Sequence, residues 1–384
     1  KLKYKETVAN IRPNFGTNSK ELIKVHHLLN HTSGLHNALG DVVKSDPMLV
    51  CDWEETLNQV AKCTPETEPG SAQIYHYLSF GWLWGGVIEH ASGKKFQEVL
   101  EEAIVRPLHI EGELYIGIPP GVESRLATLT VDTEELQKLS GIKAGPGVPP
   151  ELLSNIAQMA SGVPVLFNTL NVRRAIIPAA NGPCSARALA RYYAALATGG
   201  SIPPPHSADS KPPFGSHVHT PKFRTAPLKK KKGAGKKKGV GSTGNLQDVS
   251  NTDKNGYSQL RTSDANDEAA AGSSAVTRSW TRSWVSVNTR AGKFGLGFRR
   301  YNNRSGTLRC FGHSGRGEST GFCDVENNFA MAVMVNKMSL GSVTRGIVRF
   351  ILEELGLPVP DEFSTSGEKG PDMVLNLAPP QQQR

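Results

Sequence analysis

The stretch from Tyr75 to Phe96 constrains the fold most, because a polar, aromatic entry leads there into a buried apolar helix. Ser92-Gly93 ends the helix, whose apolar residues recur at helical spacing: Trp82, Leu83, Val87, Ile88 and Ala91. Tyr77 and Ser79 lie two residues apart at its start. The pattern therefore predicts polar groups that a rigid element presents to a cleft.

The remaining periodicities predict a helical first part followed by an antiparallel end. Strand patterns, with alternating apolar residues or with spaced glycines, cover 114–118, 293–298, 308–312, 320–325 and 329–336. Helical patterns cover 21–30, 53–63, 96–105, 131–139, 151–160, 185–198 and 343–355. Because the last four strands follow one another with only Gly or Asn turns between them, we expect an antiparallel meander flanked by helices, an α/β (α+β) fold.

The net positive charge is concentrated in one segment of the chain. Residues 206–290 contain 15 basic and 6 acidic residues, which accounts for the whole net charge of +9. Such a Lys-, Ser- and Gly-rich segment cannot bury enough apolar surface to offset its ordering entropy. We therefore predict a domain over 1–202, a disordered insertion over 203–290, the rest of the domain over 291–356 and a disordered tail over 357–384.

Composition also restricts the compartment and the cofactors. Five scattered cysteines without a C-x-x-C pair predict neither a disulfide framework nor a zinc site, and they favour a reducing, intracellular compartment, an organelle included. No run reaches the roughly 18 apolar residues of a membrane span. The chain begins with Lys1 and without a signal-peptide pattern, so we expect a fragment of a longer protein.

Three motifs in order resemble the serine β-lactamase and penicillin-binding-protein family, in its class C-like branch of esterases and D,D-peptidases. Residues 28–35, Leu-Leu-Asn-His-Thr-Ser-Gly-Leu, are similar to the "LLxHTSGL" signature. Tyr77-Leu78-Ser79 is similar to Tyr-x-Asn with Ser replacing Asn, and His313-Ser314-Gly315 to the His-containing variant of Lys-Thr-Gly. The resemblance implies a transpeptidase-like fold, an antiparallel sheet with a helical subdomain, and an N-terminal part that is missing here. It is nearest to plant proteins that join such a domain to an upstream atypical kinase-like domain.

The resemblance also implies roles for individual residues in an acyl-enzyme mechanism without a cofactor. Tyr77 would be the base or relay that activates a serine, and Ser79 would hydrogen-bond a lysine or the substrate amide. His313 would face the tyrosine as a donor. Ser314 and Gly315 would line the substrate strand, and the Arg316 N–H would form half of the oxyanion hole.

The departure from the family concerns the nucleophile. Residues 1–27, which precede the first motif, contain no Ser-x-x-Lys, and Ser92–Lys95 and Ser366–Lys369 fall in a turn and in the tail. Two hypotheses stay open. The longer parent hydrolyses an ester or amide of a small molecule or peptide, or the domain is catalytically silent and serves binding or assembly.

The histidines and the lysine run raise two other functions, metal binding and nucleic-acid or polyanion binding. His27 and His31 lie four residues apart, but no H-E-x-x-H and no acidic third ligand accompany them, so we predict structural histidines and no metal. The run from Lys229 to Lys238 has no aromatic interleaving, which argues against specific nucleic-acid binding. Salt-dependent polyanion binding through this run is a third alternative.

Overall fold

Helices occupy the first part of the chain and five antiparallel strands the C-terminal part. The structure, a computed structural model, describes residues 2–134, 162–204, 294–302, 310–315, 319–339 and 342–364. All of these belong to one unit formed by residues 1–214 and 273–384. The predicted helix over 151–160 and the predicted insertion beyond residue 204 lie outside the described residues.

Ten helices are labelled here among the described residues, with 162–167 helical as well. They are α1 Val8–Ile11, α2 Val25–Leu29, α3 Gly40–Ser45, α4 Trp53–Lys62, α5 Ser79–Ser92, α6 Phe96–Leu100, α7 Leu170–Arg174, α8 Ala186–Ala197, α9 Ser342–Glu354 and α10 Asp361–Ser364. Helix α6 continues as a π-helical turn over Glu101–Val105. Shorter 3-10 turns cover Pro13–Phe15, Pro47–Cys51 and Glu123–Arg125.

Local signals set the ends of the longer helices. The Asp52 carboxylate accepts from the Glu55 N–H at 3.0 Å and caps α4, and the Ser185 hydroxyl caps α8 by accepting from the Ala188 N–H at 3.0 Å. Helix α5 is capped by Gly93, whose φ of 67° is left-handed and whose N–H donates to the Glu89 carbonyl at 2.9 Å. The predicted end of this central helix is thus confirmed.

The helical core forms around α5. Trp82, Leu83 and Val87 are buried against residues of α4 and of the N-terminal segments. Two glycines allow the close approach: a Cβ on Gly85 would lie 2.5 Å from the Trp53 ring, and one on Gly86 would lie 2.9 Å from the Leu57 side chain. Burial of each large apolar side chain stabilises the fold by roughly 1.5–3 kcal/mol, so this packing holds the start of α5 rigidly.

The sheet is the antiparallel meander that the sequence predicts. Its order is β2-β3-β4-β5-β6, with β2 Phe294–Gly295, β3 Phe298–Tyr301, β4 Cys310–Ser314, β5 Thr320–Asp324 and β6 Phe329–Val333. Strand β1 Thr130–Val131 pairs separately and in parallel with β7 Lys337–Met338. In β4, His313 lies opposite Gly321 of β5.

Helices cover both faces of this sheet. Phe311 and Cys323 pack against Tyr193 of α8, whereas Cys310 and Phe322 pack against Val348 of α9. Neighbouring residues of a strand therefore pack into different cores, because successive side chains of a strand point to opposite faces of the sheet. This layering confirms the predicted α/β class.

Three sequence predictions on local structure need correction. Residues 114–118 form no strand, because the chain turns at Gly117 (φ 72°) and only Leu114 bridges, to Cys184. The helix predicted from Val131 starts two residues later, because Thr130–Val131 form strand β1; residues 133–134 are helical, and the part beyond 134 lies outside the described residues. The tail predicted from 357 is ordered at least to Ser364, because Phe363 is buried against Tyr301 and Phe322.

Among the described residues, no helix combines the length and the apolar character that crossing a bilayer requires. All five cysteines are free thiols.

Candidate active site

Residues 73–79 form an arm that leads into α5 and lies along the turn of the first motif. The Gln73 side-chain amide donates to the Asn30 carbonyl at 2.7 Å, and the Ile74 N–H donates to the His31 carbonyl at 2.9 Å. Further along, the Ser79 hydroxyl donates to the Leu35 carbonyl at 2.8 Å. These hydrogen bonds join two segments that lie more than forty residues apart in sequence.

His31 occupies the centre of this junction. Its φ of 59° is in the left-handed region, where histidine is less disfavoured than most residues. Its Nδ1 accepts from the His76 backbone N–H at 3.1 Å, and its ring packs against Tyr75, Phe80 and Phe294. Burial lowers the pKa of His31 well below its ordinary value, so the ring is neutral.

The arm reaches the sheet through Gln73 and Tyr75. The Gln73 side chain both accepts from the Phe294 N–H and donates to the Phe294 carbonyl, which closes the outer edge of β2. The Tyr75 hydroxyl lies 3.2 Å from Nε2 of His313, 238 positions along the chain. The predicted catalytic segment and the predicted substrate strand are therefore in direct contact.

The protonation of this pair follows from its partners. His313 Nδ1 lies 2.8 Å from the Ser314 carbonyl, which only accepts, so Nδ1 carries the proton and Nε2 accepts from Tyr75. Burial lowers the pKa of His313 and raises the pKa of Tyr75 to about 12. His313 was predicted to be a donor towards the tyrosine of the motif. Instead it is a neutral acceptor from Tyr75.

Tyr77 lies at the solvent side of the arm and is 42% exposed. Its ring meets that of Tyr75 edge-on, with 6.0 Å between the centroids. Tyr75 thus lies in contact with both Tyr77 and His313, the two groups that sequence reasoning placed face to face. Tyr77 is thus the more exposed of the two tyrosines, whereas Tyr75 is partly buried.

Ser79 does not occupy the position that was predicted for it. The residue is 2% exposed, and its hydroxyl donates into the interior to the Leu35 carbonyl. The physical reason is that α5 begins at Ser79, so the short side chain faces the first-motif turn rather than the cleft. The expected hydrogen bond from Ser79 to a lysine or a substrate amide is not supported by this geometry.

The glycine-containing motif is at the end of β4. The Ser314 hydroxyl pairs with that of Thr320 at 2.9 Å, and the Gly315 N–H donates to the Ser319 carbonyl at 2.7 Å. Arg316, the predicted oxyanion-hole residue, lies outside the described residues. The Ser314 hydroxyl therefore lies on the α9 face of the sheet with Thr320, opposite to the face that bears the His313 ring.

Ser-x-x-Lys occurs at three places in the chain: Ser92–Lys95, Ser140–Lys143 and Ser366–Lys369. Only the first lies within the described residues. There the Ser92 hydroxyl donates to the Ile88 carbonyl at 2.7 Å and the Lys95 ammonium pairs with Glu54 at 2.8 Å, so the two side chains serve different partners. This pair has no arrangement for activating a nucleophile.

No group of three or more His, Cys, Asp or Glu side chains within the described part of the chain is arranged to hold a metal ion. His26 bonds to the Tyr4 carbonyl, and His27 accepts from the Lys24 N–H. His36 lies 3.3 Å from the Glu66 carboxylate. These histidines have local partners, in keeping with structural roles.

Sequence reasoning missed Gln73, Tyr75 and His76, the residues that hold the arm in place. One signal was available, because Tyr75 and Tyr77 alternate around His76 immediately before the apolar helix. Their partners could not be inferred, since the contacts of Tyr75 and Gln73 span more than two hundred residues.

The sequence of the chain is similar to those of known proteins. A family model described as "Beta-lactamase" matches residues 1–353. The "Esterase/beta-lactamase LipL" of Mycobacterium tuberculosis (strain ATCC 25618 / H37Rv) is 31% identical over 211 residues, which cover 52% of this chain and 46% of that protein. A "Beta-lactamase-like protein" of Arthroderma benhamiae is 30% identical over 84 residues, 22% of this chain and 13% of that protein. The chain thus spans less than half the length of either curated relative.

Solved structures show the same fold. A penicillin-binding protein homologue from Caulobacter crescentus gives a TM-score of 0.56 at 24% identity, covering 88% of this chain and 72% of that chain. EstA from Arthrobacter nitroguajacolicus Rue61a gives 0.54 at 23% identity, covering 88% and 73%. At these identities the likeness extends to the fold alone.

Proposed function

The chain belongs to the beta-lactamase family, and from this premise we propose that it forms part of a serine-hydrolase site that cleaves an ester or amide through an acyl-enzyme. The observation that carries the proposal is the contact between Tyr75 and His313, which brings the Tyr77 segment next to the end of β4. An exposed phenol there lies beside a strand end along which an acyl group can bind. The substrate would be a small molecule or a peptide.

The nucleophile in this proposal comes from a Ser-x-x-Lys sequence in a longer parent. Within the described residues, the two serine hydroxyls at the arm, Ser33 and Ser79, both have interior partners, so neither is placed to attack a carbonyl. The parent serine would add to the carbonyl and pass its proton through the lysine and Tyr77 to the leaving alcohol or amine. Water then hydrolyses the acyl-enzyme.

The neutral state of His313 restricts what Tyr77 can do. A phenolate near neutral pH needs a flanking cation, and His313 does not supply one because burial lowers its pKa. The cation would therefore be the lysine of the parent's Ser-x-x-Lys. Without it, Tyr77 would be a hydrogen-bonding relay and not a base.

The test uses the parent protein and a p-nitrophenyl ester. We expect Tyr77→Phe to lower kcat/KM by about 10²- to 10⁴-fold, the usual contribution of one acid–base group, at little cost in stability since the side chain is half exposed. Tyr4→Phe is the matched control, because Tyr4 is 50% exposed against 42% for Tyr77 and lies far from α5 in sequence. An unchanged kcat/KM in Tyr77→Phe would remove Tyr77 from the mechanism.

A second measurement locates the nucleophile. We expect a fluorescent fluorophosphonate to label the parent but not the 384-residue chain. Labelling of this chain would contradict a nucleophile outside it, and Ser140→Ala would then show whether Ser140 is the labelled residue.

The alternative is a silent domain that binds or assembles without catalysis. One observation favours it: Ser79 replaces the Asn of the motif and donates to the interior. A parent that contains Ser-x-x-Lys yet is neither labelled nor active on esters, amides or β-lactams would select this alternative. The sequence of the parent transcript would also show whether an atypical kinase-like domain precedes the chain, as we propose.

A further inference from the structure

His76 is a fully buried histidine whose polar groups are all engaged, and it separates the two tyrosines of the arm. Its exposed fraction is 0%, as is that of Ser33. The Ser33 hydroxyl and Nε2 of His76 are 2.5 Å apart, and Nδ1 of His76 lies 2.7 Å from the Ile74 carbonyl. The His76 backbone N–H donates to His31.

The direction of each hydrogen bond can be assigned. The Ile74 carbonyl only accepts, so Nδ1 of His76 carries the proton and Nε2 accepts from the Ser33 hydroxyl. Burial lowers the pKa of His76 to about 4, which keeps the acceptor form populated at neutral pH. The Ser33 oxygen in turn accepts from the Leu35 N–H at 3.3 Å. The pair is thus fully satisfied without water.

A serine that donates to a histidine can be a nucleophile and its base, but the burial of this pair excludes that role in the folded state. An attacking oxygen must reach a substrate carbonyl, and Ser33 is inaccessible. The second ring nitrogen also binds a neutral carbonyl and not a carboxylate that would stabilise an imidazolium. The geometry is that of a structural connection between the turn and the arm.

We propose that Ser33 and His76 form a buried latch that positions Tyr75 and Tyr77 against β4. Because Tyr75 and Tyr77 are the residues on either side of His76, any rotation of the His76 backbone turns both phenols. With the latch closed, Tyr75 reaches His313 and Tyr77 faces solvent. Ser33 and His76 are positioning residues, and only the catalytic consequence of the latch rests on the proposed function.

The latch predicts the sign of the coupling free energy between changes at Ser33 and His76, which a role in packing alone does not predict. Ser33→Ala leaves Nε2 of His76 without a donor in a dry site, and His76→Phe leaves the Ser33 hydroxyl without an acceptor. Each single change costs the desolvation of the abandoned group, and the double change abandons neither of these two, although the Ile74 carbonyl loses its donor wherever His76 is replaced. We therefore expect the double variant to lose less stability than the two single changes lose together.

The decisive readout is the protonation state of His313. It is measured by NMR of the 384-residue chain labelled with 15N-histidine, at a concentration where light scattering shows the chain to be monodisperse. His313→Asn assigns the His313 signals. In the wild type we expect His313 to be neutral with its proton on Nδ1. In Ser33→Ala the arm loosens, Tyr75 leaves Nε2, and the apparent pKa of His313 rises towards the ordinary value as water enters. Ser92→Ala, which removes an exposed hydroxyl bonded only within its own helix end, is the matched control.

The outcomes separate the latch from the proposed function. A response of His313 to Ser33→Ala, with none to Ser92→Ala, supports the latch even if the parent proves inactive. An unchanged His313 in a folded Ser33→Ala protein overturns the latch, whatever the activity. Strictly additive losses of stability in the double variant would also overturn it.

Discussion

At the scale of single residues, the candidate site is built from neutral groups. Burial lowers the pKa values of His31, His76 and His313 and raises that of Tyr75. Each ring nitrogen that accepts a hydrogen bond here would lose it on protonation. The arm is therefore held by polar contacts that depend on uncharged histidines, and acid should release it.

We expect stability to fall as the pH drops from about 6.5 to 4. A histidine whose folded-state pKa is lowered contributes stability above its unfolded value of about 6.5 and loses it as the pH falls through the folded value. For His76, with a folded-state pKa of about 4, the loss is on the order of 3 kcal/mol. Urea midpoints measured between pH 7 and 4 check this.

The control for this pH dependence compares two histidines. His76→Phe should make the curve less steep between pH 6.5 and 4, although it lowers stability at pH 7; a slope remains because burial also lowers the pKa values of His27, His31 and His313. His109→Asn should leave the slope unchanged, because His109 is exposed and asparagine tolerates its left-handed backbone. Equal slopes in the wild type and in His76→Phe would contradict the assignment to His76.

At the scale of elements, α8 packs closely against β5 because Gly321 of that strand carries no side chain. A Cβ on Gly321 of β5 would lie 2.5 Å from the Tyr193 ring and 2.9 Å from Leu189. Gly321 is also the residue opposite His313, so the same contact fixes the strand that bears the candidate site. The spacing between α8 and β5 thereby fixes the position of His313.

Gly321→Ala should destabilise the protein by about 1–3 kcal/mol, because the methyl group overpacks this interface. Gly346→Ala in α9 is the matched control, since a Cβ there meets nothing within 4 Å. Alanine is the better helix former, so this variant should gain roughly 0.5–1 kcal/mol. Thermal melts of both variants check the contrast, and losses of equal size would refute the packing argument.

At the scale of the whole molecule, one face of α9 presents apolar side chains to solvent. Val343 is 60% exposed, Ile347 39% and Phe350 62%, at helical spacing. Strand β6, which packs against the same helix, lies at the edge of the sheet in the described part of the chain. An apolar helix face beside an open strand edge favours association.

We expect the 384-residue chain to associate or precipitate at concentrations where Phe350→Lys stays monodisperse. Light scattering across a concentration series measures this. Leu22→Lys, which replaces an exposed apolar residue outside α9, should not help. A wild-type chain that is monomeric at high concentration and unfolds in one sharp transition would contradict this expectation.

The sequence by itself determined the class of fold and the central helix. Hydrophobic periodicity and helix-ending glycines are local signals, so α5, α8 and the antiparallel meander could be read from them, and three ordered motifs indicated the family. The tail boundary at 357 failed because the burial of Phe363 depends on Tyr301 and Phe322, which lie far away in sequence.

Only the tertiary structure decided how the site residues are arranged. Motif order placed Tyr77 and His313 together, but the hydrogen bond to His313 comes from Tyr75, and Ser79 turns inward to Leu35. Which of two alternating side chains faces the sheet depends on how the arm is held, and Gln73, Ser33 and His76 hold it through partners more than forty residues away. Such long-range hydrogen bonds leave no periodic trace in the sequence, and so their geometry exists only in the folded chain.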